Sequence, residues 1–256
     1  MPPETSRSRP VRAEAPSQTL SRALTMLEAV AEAPTPPTIA ELAEGLGVHR
    51  SVAYRMLRTF EEHGLLRRDD AGRVLVAPGL AVLAGRVEPD LRAAALPELT
   101  SVSADLHMTA FLVVWDGADC LTLATVEPPR GNLVTQRPGT RHPLGVGAPG
   151  IALAAAMPEA EWAAQRARRA EGGQGVGPHD DGAERPEVAG ARARGWASSR
   201  DEVITGVSSV AVPLAVRGQF PAALAVVFAT RAEDLEAIGA RLSAAAQRVA
   251  AVLGDG

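Results

Sequence analysis

Apolar residues recur at Leu20, Leu24, Leu27, Val30 and Ala31, mostly three or four positions apart with polar residues between, which predicts an amphipathic helix over 17–33. Ser17 is placed to cap its start. The run Pro34-Thr35-Pro36-Pro37 must stop it, because proline lacks the amide that a helix interior uses. Thr38 and Glu41 then form a Thr-x-x-Glu capping box ahead of Ile39, Leu42, Ala43 and Leu46, so a second, short helix follows, ended by Gly45 and Gly47. A third helix is predicted over 50–63, stopping at Gly64. On its wheel Ala53, Met56, Leu57 and Phe60 share one side, and Ser51, Tyr54, Arg55, Arg58 and Thr59 the other. Two short arms, Leu65–Arg68 and Arg73–Val76, flank Asp69-Asp70-Ala71-Gly72 and read as a β-hairpin. Helix, helix, turn, helix and hairpin in this order is the layout of a winged helix-turn-helix.

Beyond the hairpin the pattern changes. Residues 78–105 read as helix, broken near Pro89 and Pro97, and serve as a linker. Strands are then predicted at Ala110–Trp115, Cys120–Val126, Leu133–Gln136, Ala197–Arg200, Val207–Val216 and Ala222–Ala229. Helices are predicted at Ala148–Ala156, Glu159–Arg169 and Ala232–Leu253. Helices and mostly antiparallel strands arranged this way imply an α+β domain. The Gly-rich stretch 172–182 reads as a mobile surface loop. The resulting division is a flexible tail over 1–16, a winged helix-turn-helix over 17–77, a helical linker over 78–105 and a second domain over 106–256.

Composition narrows the class. A chain of 256 residues with 46% hydrophobic residues is long enough for two buried cores. No window approaches the roughly 18–20 uncharged apolar residues of a membrane span, and the first 16 residues lack a signal-peptide core, so a cytoplasmic protein without membrane contact is expected. The single Cys120 excludes an intramolecular disulfide and a multi-thiolate metal site. All 26 basic residues are Arg, a side chain able to fork onto a phosphate or a guanine edge. The net charge of −4 argues against indiscriminate coating of nucleic acid. Residues 1–86 nevertheless carry 11 Arg against 10 acids, and the remainder 15 against 20, so any basic footprint is local and N-terminal.

That footprint has definite candidates. In a helix-turn-helix the start of the second helix of the motif enters the major groove, which brings Ser51 and Tyr54 to base edges or phosphates, with Arg50 reaching a flanking phosphate. Arg55 and Arg58, about one turn apart, can clamp the backbone or read guanine. In the hairpin, Arg67, Arg68 and Arg73 can touch the neighbouring minor groove or backbone. A solvated arginine face alone would be unremarkable for any soluble helix; the capped short helix, the Gly45-Leu46-Gly47 turn and the Arg-bearing hairpin around it point to DNA.

The chain resembles an IclR-type regulator from about Gln18 to Leu253. In the first half the resemblance rests on Ile39-Ala40-Glu41-Leu42-Ala43, on the run from Ser51 to Phe60 and on Glu62-His63-Gly64-Leu65-Leu66. In the second half it rests on the stretch from Gly139 to Ala154, on Gly195-Trp196-Ala197, on the run from Asp201 to Val207 and on Val210-Ala211-Val212-Pro213-Leu214. The chain departs from the pattern at Val74, where an aromatic is expected, and at Ile151, where a basic or small polar residue often stands. The resemblance implies a GAF-like effector-binding domain, a homodimer joined through the N-terminal helices or a homotetramer, and a palindromic double-stranded operator, since two-fold protein symmetry needs two-fold half-sites. It also implies a small-molecule cavity contacted by Ala148, Gly150, Asp201, Glu202, Ser209, Ala225 and Val227. With Ala225 and Val227 where some relatives carry hydroxyls, the wall is dry and suits a ligand with apolar or aromatic surface.

Other readings stay open at this point. Glu202 either accepts a hydrogen bond from a ligand or buttresses its loop through backbone amides. Arg137, Arg141 and Arg200 either pair with a ligand carboxylate or are surface charges; Trp115 and Met108 read as core, and Cys120 as a small buried hydrophobe. The five His, at 49, 63, 107, 142 and 179, show no metal-ligand spacing, and no Gly-x-Ser-x-Gly elbow or phosphate loop is present, so neither an enzyme nor a cofactor is expected. A scaffold whose winged helix contacts protein instead of DNA is the remaining rival.

Overall fold

The computed structural model describes residues 17–129, 134–172, 185–215, 220–231 and 233–254. The chain forms two compact units, Met1–Val87 and Glu88–Gly256.

In the first unit, α1 (Gln18–Glu32) is capped by the Ser17 hydroxyl, which accepts from the Leu20 amide, and ends before the proline run. In α2 (Ile39–Gly45) the capping box is complete: the Glu41 amide donates to Thr38 Oγ1 at 3.3 Å and the Thr38 amide to Glu41 Oε2 at 2.7 Å. α3 (Arg50–Glu62) is capped by the His49 ring. The hairpin of β1 (Leu66–Arg68) and β2 (Val74–Val76) pairs Leu66 with Val76. Met26, Leu42, Leu57, Leu66 and Val74 meet in one small core. Val74 is fully buried there, so the expected aromatic is replaced by a core valine. The Val74 amide also donates to the Pro37 carbonyl at 2.8 Å, tying the hairpin to the segment between α1 and α2.

The stretch 78–105 is not one interrupted connector. α4 (Gly79–Ala84) belongs to the first unit, with the Gly79 amide donating to the Gly64 carbonyl at 3.0 Å. α5 (Pro89–Leu106) belongs to the second and runs unbroken through Pro97. Losing one amide there is outweighed by the intact stripe of Leu91, Ala95, Leu99 and Val102, all buried in the second unit's core.

The second unit is built on a six-stranded antiparallel sheet: β3 (Thr109–Trp115), β4 (Asp119–Val126), β5 (Arg141–Pro143), β6 (Ala197–Arg200), β7 (Val207–Leu214) and β8 (Ala222–Ala229). Its order is β5-β4-β3-β8-β7-β6. All of β3 is buried, because both faces of the sheet are covered. Ala110, Leu112 and Val114 turn toward α5 and α9 (Leu235–Gly254). Phe111, Val113 and Trp115 turn toward α6 (Gly147–Ala156) and its neighbours α7 (Glu159–Gly172) and α8 (Pro186–Arg194). The predicted strand at 133–136 does not form over Val134–Gln136, and Leu133 lies outside the described residues. β7 ends at Leu214. The tail over 1–16 and the loop from 173 to 182 also lie outside the described residues.

Candidate nucleic-acid interface and ligand cavity

α3 divides as its wheel predicts. Ala53, Met56, Leu57 and Phe60 are buried, whereas Arg50, Ser51, Tyr54, Arg55, Arg58 and Thr59 are exposed. Arg67, Arg68 and Arg73 of the hairpin are exposed as well. The cations differ in what already holds them. Arg68 forks onto Glu61, Nε to Oε1 at 2.8 Å and NH2 to Oε2 at 3.1 Å. Arg58 reaches Glu62 at 3.3 Å, and Arg73 donates to the Pro36 carbonyl at 2.8 Å. Arg50, Arg55 and Arg67 make no ion pair among the described residues. His49, not singled out in the sequence, closes the helix start: its Nδ1 accepts from the Ser51 amide and lies 2.9 Å from the Ser51 hydroxyl.

In the second unit a cavity of about 380 Å³ opens between the α6 face of the sheet, the start of α6 and the segments 134–142 and 203–207. Ala148, Ser209 and Val227 line it. The other expected contacts do not. A side chain on Gly150 would stand 2.8 Å from the Pro143 carbonyl, so this glycine permits close packing of α6 on β5. Ala225 is fully buried in the sheet-to-α6 packing. Asp201, with φ 55°, closes its own loop by accepting from the Gly206 amide at 2.6 Å.

Glu202 buttresses. Its Oε2 accepts from the Gly147 amide at 3.1 Å and its Oε1 meets Arg185 NH2 at 2.7 Å, with side-chain exposures of 12% and 10%. Ser199 Oγ accepts from the Ala148 amide at 3.0 Å. The first two amides of α6, which has no cap of its own from Val146, are thus capped by the β6 end of the sheet. A helix start left open would attract an anion; here the chain supplies one.

Several lining residues were not foreseen. Phe111 follows from strand alternation with Val113 and Trp115, and Ser199 from alternation with Ala197. His142, Thr140 and Gln136 carry no local signal that would place them here. Burial pushes the His142 imidazole below its ordinary range, against the opposing pull of Asp119. Of the three arginines considered for a carboxylate, Arg137 lines the cavity, Arg141 pairs with Asp116 at 2.6 Å, and Arg200 lines a separate groove beside Arg185. Trp115 and Met108 are core residues. Burial drives the Cys120 thiol up to about 12, which leaves it an inert small hydrophobe. No described helix is long and apolar enough to cross a membrane.

Comparison with known proteins agrees with this two-part geometry. Residues 19–70 match the IclR helix-turn-helix domain, and residues 85–251 match the family model described as the bacterial transcriptional regulator IclR C-terminal. An HTH-type transcriptional regulator of Mycobacterium tuberculosis is 29% identical over 198 residues, spanning 77% of this chain and 76% of that protein. An IclR transcriptional regulator of Alicyclobacillus acidocaldarius superimposes with a TM-score of 0.72 at 26% identity, covering 94% of this chain and all of that one. An IclR homologue of Microbacterium hydrocarbonoxydans, solved with 4-hydroxybenzoate, reaches 0.78 at 24% identity over 93% of this chain and all of that one. These relatives are regulators and not enzymes. The chain belongs to the IclR family of DNA-binding transcriptional regulators.

Proposed function

We propose that α3 enters the major groove of a palindromic operator, that the chain does so as a homodimer or homotetramer, and that a small organic molecule with apolar or aromatic surface, held in the second domain, changes operator affinity. The observation that carries this reading is the exposed face of α3, where Arg50 and Arg55 stand without acid partners among the described residues. Ser51 and Tyr54 beside them are placed to meet bases or phosphates, and Arg67 to reach the backbone next to the groove. Arg58, Arg68 and Arg73 are already held within the domain, so their contribution to DNA is smaller.

The ligand half of the reading rests on the cavity and its dry wall of Phe111, Ala148, Val207 and Val227. That the Microbacterium homologue was solved with 4-hydroxybenzoate supports an aromatic occupant. Linkage between the two sites is expected at about 1–3 kcal/mol, or roughly 5- to 150-fold in operator affinity.

Genomic fragments selected with the purified chain supply the operator, and fluorescence anisotropy on it supplies the test. Replacing Arg55 and Arg58 with alanine should weaken binding by about tenfold or more and flatten its salt dependence. Unchanged affinity in the folded double variant refutes the α3 reading. A thermal-shift screen in which only glyoxylate-sized acids stabilise the second domain refutes the apolar ligand.

A further inference from the structure

The cavity has a polarity that its apolar lining conceals. At the β6 edge of the sheet, Glu202 and Ser199 occupy the Gly147 and Ala148 amides, and Arg185 pairs with the Glu202 carboxylate and fixes it there. A second anion arriving there would meet two backbone donors already in use. At the other edge, residues 136–140 run beside β4: the Thr122 amide donates to the Thr140 carbonyl, the Gly139 amide to the Thr122 carbonyl, and the Gln136 side chain to Thr122 Oγ1. In the order β5-β4-β3-β8-β7-β6, three strands separate β4 from β6, so the two ends of the cavity are built by different edges of the sheet.

Arg137 sits in that β4-side segment. Among the described residues lining the cavity it is the one charged side chain, and it has no ion-pair partner among the described residues. The polar groups around it are largely committed. Thr140 donates its hydroxyl proton to the Arg137 carbonyl and Ser209 donates to the Val226 carbonyl. The His142 ring, which burial keeps neutral near pH 7, adds a hydrogen-bonding group without charge.

We infer that the ligand of this cavity is an organic anion whose apolar body rests on Phe111, Pro149 and Val227 and whose acid group is received by Arg137 at the β4 edge, Glu202 having closed the α6 end to it. The inference rests on the reading that this cavity binds a small molecule, and adds the charge of that molecule, its direction and the residue that selects it. An exposed guanidinium receiving a carboxylate contributes on the order of tenfold in affinity over a neutral group of the same shape.

The test compares benzoate, phenylacetate and 3-phenylpropionate with their primary amides by isothermal titration calorimetry on the full chain, wild type and Arg137→Gln. At least one acid should bind the wild type about tenfold tighter than its amide, and Arg137→Gln should erase that margin while leaving the amide's affinity unchanged. A margin that survives in Arg137→Gln, or amides that match the acids in the wild type, overturns the assignment to Arg137 and leaves a ligand-binding cavity standing. If no acid or amide binds and none alters operator affinity, the inference falls together with the reading beneath it.

Discussion

The two recognition surfaces distribute their polar partners in opposite ways. On α3 and the hairpin after it the side chains proposed to act stand in solvent, and three cations, Arg50 and Arg55 of α3 and Arg67 of β1, have no ion pair among the described residues. In the second domain the strongest polar groups near the cavity, Glu202 and Arg185, are bound to each other and nearly buried. A surface that meets a polyanion does best to leave cations unpaired, because each ion pair must be broken before phosphate is met. An internal cavity cannot leave charges unpaired, because a buried unpartnered charge is costly. The one exception in the cavity lining, Arg137, is exposed, which is what makes it tolerable without a partner.

The largest effect tests whether the two regions are energetically separate. Leu57 is fully buried in the small core under α3. Leu57→Ala should cost about 4 kcal/mol, most of what a domain this small possesses. Calorimetry should then show the first domain's transition lost and DNA binding abolished, with the second domain's transition unmoved. A single transition shifting as a whole would mean that the two domains unfold as one cooperative unit.

Removing one acid from each region sharpens the contrast. Glu202→Ala leaves Arg185, among the described residues, only its longer ion pair with Glu187 and uncaps Gly147, and should cost about 2 kcal/mol in denaturant unfolding of the second domain. Glu62→Ala breaks an exposed pair with Arg58 and should change stability by less than about 0.5 kcal/mol. Its effect belongs instead to function: freeing Arg58 should raise operator affinity several-fold. Equal stability costs in the two variants would mean that burial does not distinguish the two acids.

The same contrast decides what the sequence discloses. The first domain's helices, caps and exposed face are readable because each depends on neighbours three or four residues away, as with Thr38 and Glu41 or Met56 and Phe60. What sequence does not disclose there is which arginines are taken, since Arg68 finds Glu61 only once the hairpin folds back on α3. The cavity is assembled from strands and loops far apart in the chain. β5 is three residues long, too short to show alternation, so His142 has no visible address. α8 has no strong apolar stripe, so Arg185 at its start could not be matched to Glu202 beforehand. Gly150 illustrates the opposite error: a glycine assigned to a ligand serves packing against β5.

A smaller effect separates two adjacent arginines. Arg67→Ala should lower the slope of log affinity against log salt by about 1 if that side chain meets a phosphate. Arg68→Ala should lower it less, because Glu61 already neutralises that guanidinium. Equal slopes would mean that Glu61 releases Arg68 on DNA, and the distinction between paired and unpaired cations would lose its functional meaning.

The smallest effect concerns the layer behind the sheet, where Arg248 of α9 forks onto Glu98 of α5 at 2.8 and 2.7 Å. The hydrogen bonds from Arg248 hold the Glu98 carboxyl below its ordinary range, and burial opposes them only in part. A carboxyl that is harder to protonate in the folded chain than in the unfolded one stabilises the fold when ionised. That contribution is therefore complete above the unfolded titration near 4.3 and fades as pH falls through the lower, folded one. With Arg248 half exposed and screened by water, Glu98→Gln should cost about 0.5 kcal/mol at pH 7. The difference from wild type should shrink toward zero as urea unfolding of the second domain is repeated at successively lower pH below 5. A cost that persists unchanged in acid would assign the contact to packing instead of charge, and would place this pair with the apolar scaffold and not with the buried Glu202–Arg185 bridge.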